Sequence, residues 1–286
     1  MSKSTELAKQ SSTELQVVPT PEDLTAIMSE LQDMGTLPFG RVQIAAAGAG
    51  VFKVIDPGED ESKVATEIVG VIILSHRTNV LWLNKFGTVE DKTPDCLSLD
   101  GVEGIDRETG EIKLCDKCPH NQYGSADGGS GRGKSCKNTR RLYLMRPADG
   151  DRPSDVLPLI LTLPSTSLTT YDKYRTKVML SRKKMHGILT KITLKSAANK
   201  DGIAYSTPIF EMVGALSEAE TLRVQQYANG FDKAMRGAVQ EDPRAGSVSA
   251  STQAHAPTSA PVTAAAVPAP GHANASVDDE DELPFG

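Results

Sequence analysis

The sequence predicts a mainly β fold with flanking helices (α+β), built on a small five-stranded barrel that carries an inserted cysteine-rich loop and ends in disordered termini. Three observations favour this fold. Short extended segments rich in Val and Ile recur from residue 41 onward, one basic helix interrupts them, and all four cysteines fall within 96–136. Strands, then a helix, then two further strands are the arrangement of an OB-fold, with the helix between the third and fourth strands.

The N-terminal part is expected to lead into the barrel through one helix. Residues 1–19 are polar and aperiodic, which predicts a disordered arm. Thr20 fits an N-cap, Pro21 the first helical position and Gly35 a stop, so a helix is predicted over 21–34. Strands are predicted next at 41–47, 51–55 and 66–75, with 79–86 continuing or pairing with the last of these.

The second half of the chain is expected to complete the barrel. It predicts strands at 140–146 and 156–163, a basic helix at 167–182, and strands at 188–195 and 206–213. Ser217 would cap a last helix that ends near residue 239, with Glu220 completing a Ser-x-x-Glu capping box. Residues 20–239 are therefore expected to form one domain, with the cysteine loop at about 96–136 as an insertion.

The charge is distributed unevenly along the chain. The formal net charge is −6, but residues 240–286 carry all of it and residues 1–239 sum to zero. Residues 128–200 hold sixteen Lys and Arg against four Asp, a net charge of +12. The middle of the chain is thus strongly basic, as in proteins that bind nucleic acid, although the total is acidic.

The four cysteines follow the spacing C-x18-C-x2-C-x17-C. Cys115 and Cys118 would form one edge of a tetrahedral site that Cys96 and Cys136 complete. Four thiolates leave no open position for a water, so a structural zinc ion is predicted rather than a catalytic one. Two disulfides, or four unremarkable thiols, are the alternative. No signal peptide is visible, and thiolates in a reducing cytosol are more often metal ligands or catalytic groups than crosslinks.

Residues 128–135 (Gly-Gly-Ser-Gly-Arg-Gly-Lys-Ser) match the phosphate-loop pattern G-x-x-x-x-G-K-S. A true phosphate loop leaves a buried strand and opens a helix, whereas this stretch leaves a polar loop and runs into Cys136. A nucleotide-dependent enzyme that uses 128–135 is therefore only an alternative. No Ser/His/Asp or paired-carboxylate arrangement is recognised, so the protein is not expected to be an enzyme.

Basic and aromatic residues are interleaved in the middle of the chain. In single-strand binders, Lys and Arg neutralise phosphates while aromatic rings stack on bases without reading sequence. The predicted nucleic-acid contacts are Trp82, Arg132, Lys134, Lys137, Arg140, Arg141, Tyr143, Tyr171, Lys173, Tyr174, Arg175, Lys177, Arg182, Lys183 and Lys184. For any single residue, the alternative is a solvated helix face with the rings in the core.

The C-terminal end combines an acidic run with an apolar tip. Over 240–277 the composition falls to Ala, Pro, Ser, Thr and Val with few charges, which predicts a disordered linker. The residues expected to bind a partner protein are Asp278, Asp279, Glu280, Asp281, Glu282, Leu283, Pro284 and Phe285. The last four residues, Leu-Pro-Phe-Gly, also occur at 37–40.

This tip resembles the acidic ends of bacterial and phage single-stranded DNA-binding proteins, in which acids precede a Pro-Phe or a terminal Phe. Here Gly286 follows Phe285. The stretch Cys-Asp-Lys-Cys-Pro-His-Asn-Gln-Tyr-Gly-Ser at 115–125, running on to Gly-Lys-Ser-Cys-Lys-Asn-Thr-Arg-Arg-Leu-Tyr-Leu, also resembles a module of the phage proteins, some of which carry zinc inserted in an OB-fold. The resemblance covers residues 41–214 and 278–286.

The resemblance implies sequence-tolerant binding of single-stranded DNA in replication, recombination or repair. The tip would recruit a polymerase, nuclease or helicase, and a homo-oligomer is compatible with this role. No apolar run approaches the roughly 18 residues of a membrane span, so a cytoplasmic location is expected, in the bacterial host if the chain is phage-encoded. A zinc-ribbon transcription or adaptor protein that binds duplex DNA is a further alternative.

Overall fold

The computed structural model describes residues 17–20, 25–27, 29–30, 37–46, 48–83, 94–126, 133–149, 154–198, 202 and 204–237. The chain divides into two units, residues 1–248 and 249–286, and every described residue belongs to the first. Within the described ranges the chain is mainly β with a few helices, which confirms the predicted class.

The described residues form eleven strands and two long helices. The strands are β1 Gly40–Ile44, β2 Phe52–Ile55, β3 Lys63–Ala65, β4 Glu67–Leu81, β5 Cys96–Ser98, β6 Glu103–Asp106, β7 Ile112–Leu114, β8 Lys137–Met145, β9 Leu159–Leu163, β10 Ile188–Ala198 and β11 Ala204–Ala215. Helix α1 spans Ser165–Leu180, helix α2 spans Glu218–Gly237, and short 3-10 helices lie at Pro119–Asn121 and Met185–Gly187.

The predicted strands and the two later helices are confirmed, with ends shifted by a few residues. The long strand β4 runs on to Leu81, the continuation that the sequence allowed. Of the helix predicted over 21–34, residues 25–27 and 29–30 are described and helical. Strand β3 and the three strands β5, β6 and β7 were not predicted, because three or four residues are too short to show an alternating pattern.

One sheet connects the strands in the order β3-β2-β1-β9-β8-β4-β5-β6-β7, and β10 joins β4 to β11. Only β1 and β9 run parallel; the other described pairs are antiparallel. Strand β4 is central because residues 67–70 pair with β10, residues 71–80 with β8 and residues 79–81 with β5. Among the described strands the sheet is open, so closure into a five-stranded barrel is not shown.

Two apolar layers lie on opposite faces of β8. Leu142 and Leu144 point into a cluster that α1 closes with Tyr171 and Tyr174. The alternate residues of the strand, among them Tyr143, point into a second cluster that α2 closes. Because successive side chains of a strand point to opposite faces, the apolar second half of β8, residues 142–145, can serve both layers.

The predicted disordered arm is wrong at its C-terminal end, where the chain packs under α2. Val17 and Val18 are 0% and 1% exposed and belong to the second cluster. The Val17 N–H donates to Glu220 Oε1 at 2.6 Å. The Glu220 N–H in turn donates to Ser217 Oγ at 3.1 Å, which is one of the two hydrogen bonds of the predicted capping box. Two adjacent apolar residues suffice to anchor the segment, while residues 1–16 lie outside the described residues.

The Leu-Pro-Phe-Gly stretch at 37–40 has a structural role. Leu37 and Phe39 are partly buried against the second cluster. The ring of Phe39 meets that of Tyr143 edge-on, with centroids 6.0 Å apart. The stretch therefore anchors the chain where it enters β1.

His76 of β4 makes the second layer sensitive to pH. It is 5% exposed, its ring stacks on Tyr143 at 5.6 Å, and neither ring nitrogen has a hydrogen-bond partner among the described residues. Burial, and then the charges of Arg141 and Arg236, lower the pKa of His76 from 6.5 to about 4, although Asp232 opposes the shift. The folded protein therefore holds this imidazole neutral over a range in which the unfolded chain protonates it.

We expect the titration of His76 to leave the free energy of unfolding unchanged above pH 6.5 and to lower it as the pH falls towards 4. The reason is that the unfolded chain binds a proton in this range, whereas the folded protein does not. The loss should approach about 3 kcal/mol. His76→Phe keeps a ring on Tyr143 but cannot titrate, so urea unfolding of both proteins across this range isolates the effect. Parallel pH profiles for the two proteins would show that His76 does not contribute.

Candidate nucleic-acid interface and cysteine site

The segment that carries the cysteines extends the sheet. Strands β5, β6 and β7 form an antiparallel meander on the edge of β4. Cys96 begins β5, Cys115 and Cys118 lie in the turn after β7, and Cys136 directly precedes β8. Strand pairing therefore brings together cysteines that are separated in the sequence.

The four cysteines line one small cavity, together with Gly104 and other residues. All four are free thiols. A Cβ atom on Gly104 would lie 2.8 Å from Cys96 Sγ and 3.6 Å from Cys115 Sγ, so a larger residue would crowd the sulfurs. Burial, and then the other three cysteines, raise the pKa of Cys136 to about 12.

Polar contacts hold the backbone around this cavity. Asn121 Nδ2 donates to the Cys115 carbonyl at 2.6 Å, and the Asn121 N–H donates to the Cys118 carbonyl at 3.0 Å. The Cys136 N–H donates to the His120 carbonyl at 2.8 Å. These bonds connect the turn after β7 to the residues before β8.

The donor chemistry of the cavity suits a structural zinc ion. Four thiols without a disulfide are the ligand set of closed zinc sites, and a glycine beside two of the sulfurs leaves room for a metal. In the part of the chain that the structure describes, no group of three or more His, Cys, Asp or Glu side chains is placed so that it could hold a metal ion. Zinc therefore stays a prediction.

The described part of the phosphate-loop-like stretch, residues 133–135, belongs to the same site. The Gly124 N–H donates to the Gly133 carbonyl at 2.9 Å, and the Ser135 N–H donates to Ser125 Oγ at 3.0 Å. The stretch then leads through Cys136 into β8, whereas a phosphate loop opens a helix. This geometry does not favour nucleotide binding.

Three arginines from different elements meet beside α1, and we refer to Arg77, Arg140 and Arg175 as the arginine cluster. The register of β4 and β8 sets Arg77 opposite Arg140. The guanidinium carbons of Arg140 and Arg175 lie 5.7 Å and 5.9 Å from the ring centroid of Tyr171. Asp172 approaches Arg175 at 3.6 Å.

The electrostatics of the arginine cluster suit an anion. Burial, and then the charges of Arg175 and Arg77, lower the pKa of Arg140, although Tyr171 and Asp172 oppose the shift. Like charges held together repel one another, and a bound phosphate would relieve that repulsion while accepting bidentate hydrogen bonds from a guanidinium. The arginine cluster is therefore a candidate phosphate site.

A row of amide side chains joins the arginine cluster to the cysteine site. Asn138 lies two residues before Arg140 and on the same face of β8. Its Nδ2 donates to Asn79 Oδ1 at 2.7 Å and to Asn121 Oδ1 at 2.8 Å. Two residues of strand span about 7 Å, so the two sites are neighbours along one face of β4 and β8.

The three tyrosines predicted to stack on bases are instead core residues. Tyr143 and Tyr171 are 0% exposed and Tyr174 is 6% exposed. The Tyr143 hydroxyl donates to the Met235 carbonyl, and the Tyr174 hydroxyl shares a 2.7 Å hydrogen bond with Thr190 Oγ1. The prediction is wrong for these rings because Tyr143 points into the cluster that α2 closes, while Tyr171 and Tyr174 lie on the inner face of α1.

Arg141 also differs from the prediction. It is 5% exposed and lies opposite His76 in the strand register, on the face of β8 away from Arg140. Burial lowers its pKa, while Tyr143 opposes the shift. The predicted phosphate contact is therefore wrong for Arg141, whose charge belongs to the layer under α2.

The remaining predicted contacts divide by exposure. Trp82 directly follows β4 and is half-buried, as are Lys134 and Arg175. The exposed cations are Lys137, Lys173, Lys177, Arg182, Lys183 and Lys184. Arg182 has φ +54°, the left-handed conformation that commonly ends a helix, so α1 ends in a turn that presents three cations. Arg132, the linker 240–277 and the tip 278–286 lie outside the described residues.

The prediction from the sequence did not include two residues of the candidate nucleic-acid interface. Arg77 lies within the long strand β4, after its apolar run, and could be linked to Arg140 only through the strand register. Tyr123 is 80% exposed, and Lys134 Nζ lies 4.7 Å from its ring centroid. A single aromatic residue in a Gly- and Ser-rich loop beside the cysteines was the available signal.

Comparisons with family models, with curated proteins and with solved structures give no match to this chain. Neither α1 nor α2, nor any other helix in the described ranges, is both long and apolar enough to cross a membrane. The residues and their geometry are therefore the basis for inferring a function.

Proposed function

We propose that this protein binds single-stranded DNA with little sequence preference and protects it during replication, recombination or repair. The observation that carries the proposal is the continuous polar face along β4 and β8, which joins the arginine cluster to the cysteine site. Guanidinium and ammonium groups neutralise phosphates whatever the base sequence. The exposed Lys173 and Lys177 of α1, and Lys183 in the turn after it, extend the positive surface.

The fold supports this function as a variant of the OB-fold, with β4, β8, β9, β10 and β11 as the barrel strands. Helix α1 lies between the third and fourth of these, and β10 pairs antiparallel with β4. The turn between β1 and β2 approaches the β10–β11 hairpin, where the Gly50 N–H donates to Ser206 Oγ at 3.2 Å. The cysteine segment then occupies the loop between the first two barrel strands, a loop that OB-folds use to bind oligonucleotides.

The proposal includes a structural zinc ion held by Cys96, Cys115, Cys118 and Cys136. The shared cavity, the absence of disulfides and the small residue at Gly104 support it. A bound zinc ion would hold the thiols in their deprotonated form and fix the loop. The chain itself contributes the hydrogen bonds of Asn121 and Cys136, which orient the turn that carries two of the ligands.

The test of DNA binding is a salt titration with fluorescent oligonucleotides of mixed and uniform sequence. Because each neutralised phosphate releases counterions, log affinity should fall linearly with log salt, with similar slopes for all sequences. The measurement is fluorescence anisotropy with the full chain. Absence of binding, or an affinity that does not respond to salt, would contradict the proposal.

The acidic tip is proposed to recruit partner enzymes and to compete for the positive face when DNA is absent. Its five acids follow a linker of about 35 residues, which as a flexible coil has an r.m.s. reach of roughly 30 to 35 Å. Deleting 278–286 is therefore expected to raise single-strand affinity at low salt, with a gain that shrinks as salt screens the acids. Anisotropy at low and high salt measures the effect.

The matched control for the deletion is Phe285→Ala, which keeps all five acids. This variant should bind DNA as the wild type does and lose only the contact with a partner protein. Unchanged DNA affinity after the deletion at low salt would reduce the tip to a solubility device.

A further inference from the structure

Tyr123 presents the most exposed aromatic ring among the described residues. It is 80% exposed, whereas Tyr205, the next most exposed aromatic, is 37% exposed. Hydrogen bonds hold the residues next to it: the Gly124 N–H donates to the Gly133 carbonyl at 2.9 Å, and Ser125 Oγ donates to the His120 carbonyl at 2.8 Å. An aromatic ring held in solvent by an ordered turn leaves a large apolar surface available to a ligand.

A cation is fixed beside this ring. Lys134 Nζ lies 4.7 Å from the Tyr123 centroid and donates to Asn121 Oδ1 at 3.3 Å. Lys134 covers one face of the ring, and the high exposure of Tyr123 leaves the other face open. A flat apolar surface next to a positive charge matches one nucleotide, whose base stacks while its phosphate is neutralised.

The pair stands at the end of the polar face already described. Asn121 accepts from Lys134 and from Asn138, and Asn138 in turn donates to Asn79, its neighbour in the strand register. The same Asn121 donates to the Cys115 carbonyl at 2.6 Å, so the cysteine site positions the loop. A strand bound to the arginine cluster can therefore continue along β4 and β8 to Tyr123.

We propose that Tyr123 is a base-stacking residue for single-stranded nucleic acid and that Lys134 binds a neighbouring phosphate. The inference rests on the proposed function and deepens it. The stacking surface is then the ring of Tyr123 in the cysteine segment and not the buried tyrosines. The cysteine segment forms one end of the binding face, and α1 forms the other end.

The test compares Tyr123→Ala, Tyr123→Phe and wild type on two oligonucleotides of equal length, one normal and one with abasic sites throughout. On the normal strand, Tyr123→Ala should lose about 5- to 150-fold in affinity, and Tyr123→Phe should bind like the wild type. On the abasic strand the three proteins should bind alike, because no base remains to stack. Tyr205→Ala is the matched control and should leave both affinities unchanged.

A separate variant tests the cation. Lys134→Ala should flatten the salt dependence of binding by about one phosphate contact, while Tyr123→Ala leaves the slope unchanged. Thermal unfolding of each variant checks that the fold is intact. We expect no loss of stability for the Tyr123 variants, because the Tyr123 side chain is exposed. Equal losses on normal and abasic strands, or no loss for Tyr123→Ala while the wild type binds, would overturn the inference alone. No binding by the wild type would overturn the proposed function itself.

Discussion

Cys136→Ser is expected to abolish zinc binding and to unfold the segment between β4 and β8. Structural zinc sites contribute on the order of 10 kcal/mol to folding. Strands β6 and β7 leave Ile105, Ile112 and Leu114 exposed, so apolar burial contributes little to holding this segment. Metal analysis of protein purified without added zinc should give about one ion per chain for the wild type and almost none for the variant. Limited proteolysis should then cut the segment between β4 and β8 first.

Gly104→Ala provides a second variant that leaves all four thiols in place. Its new Cβ atom would lie 2.8 Å from Cys96 Sγ, so metal binding should weaken. Gly230→Ala in α2 is the matched control, because a Cβ atom there meets nothing within 4 Å. Wild-type protein without zinc, or Cys136→Ser with full stability in a strong chelator, would contradict the metal site.

Arg77→Ala combined with Arg140→Gln is expected to weaken the binding of every single-stranded sequence by a similar factor. For each phosphate that the variant no longer neutralises, the slope of log affinity against log salt should become shallower by about 0.7. Arg77 is exposed and Arg140 is 8% exposed, so glutamine is used at the second position to keep a polar side chain there. Anisotropy titrations at several salt concentrations measure both the affinity and the slope.

The neighbouring Arg141 gives a demanding control for this pair. Because it lies on the opposite face of β8, Arg141→Gln should lower the free energy of unfolding and leave the salt slope of the folded protein unchanged. A slope reduced by Arg141→Gln but not by the double variant would place the DNA on the face that α2 covers and refute the interface described above.

The sequence predicted those elements whose pattern is local. The apolar run in β4 and the Ser217 cap of α2 are signals that neighbouring residues carry by themselves. The short strands β5 to β7 could not be predicted, because their order depends on pairing with β4 and on contacts such as that of Asn121 with Cys115. Val17 was missed for a similar reason, since α2, far along the chain, covers it.

The candidate site was also predicted only in part from the sequence. Spacing alone suggested that the four cysteines act together, and they do line one cavity. Composition showed that the middle of the chain is basic but not which face each charge occupies. A difference of one position separates Arg140, beside α1, from Arg141, under α2. Tyr143 was wrongly predicted to stack on a base, because the sequence does not show whether a ring next to arginines is buried or exposed.

The most direct measurement of the central claim is a comparison of affinity for one single-stranded oligonucleotide and for its own duplex, in the same buffer and over the same salt range. A protein that binds phosphates through the arginine cluster and stacks a base on Tyr123 needs unpaired, separable bases, so it should bind the single strand more tightly at every salt concentration. Equal or tighter binding of the duplex would contradict single-strand binding and favour a zinc-containing protein that recognises double-stranded DNA.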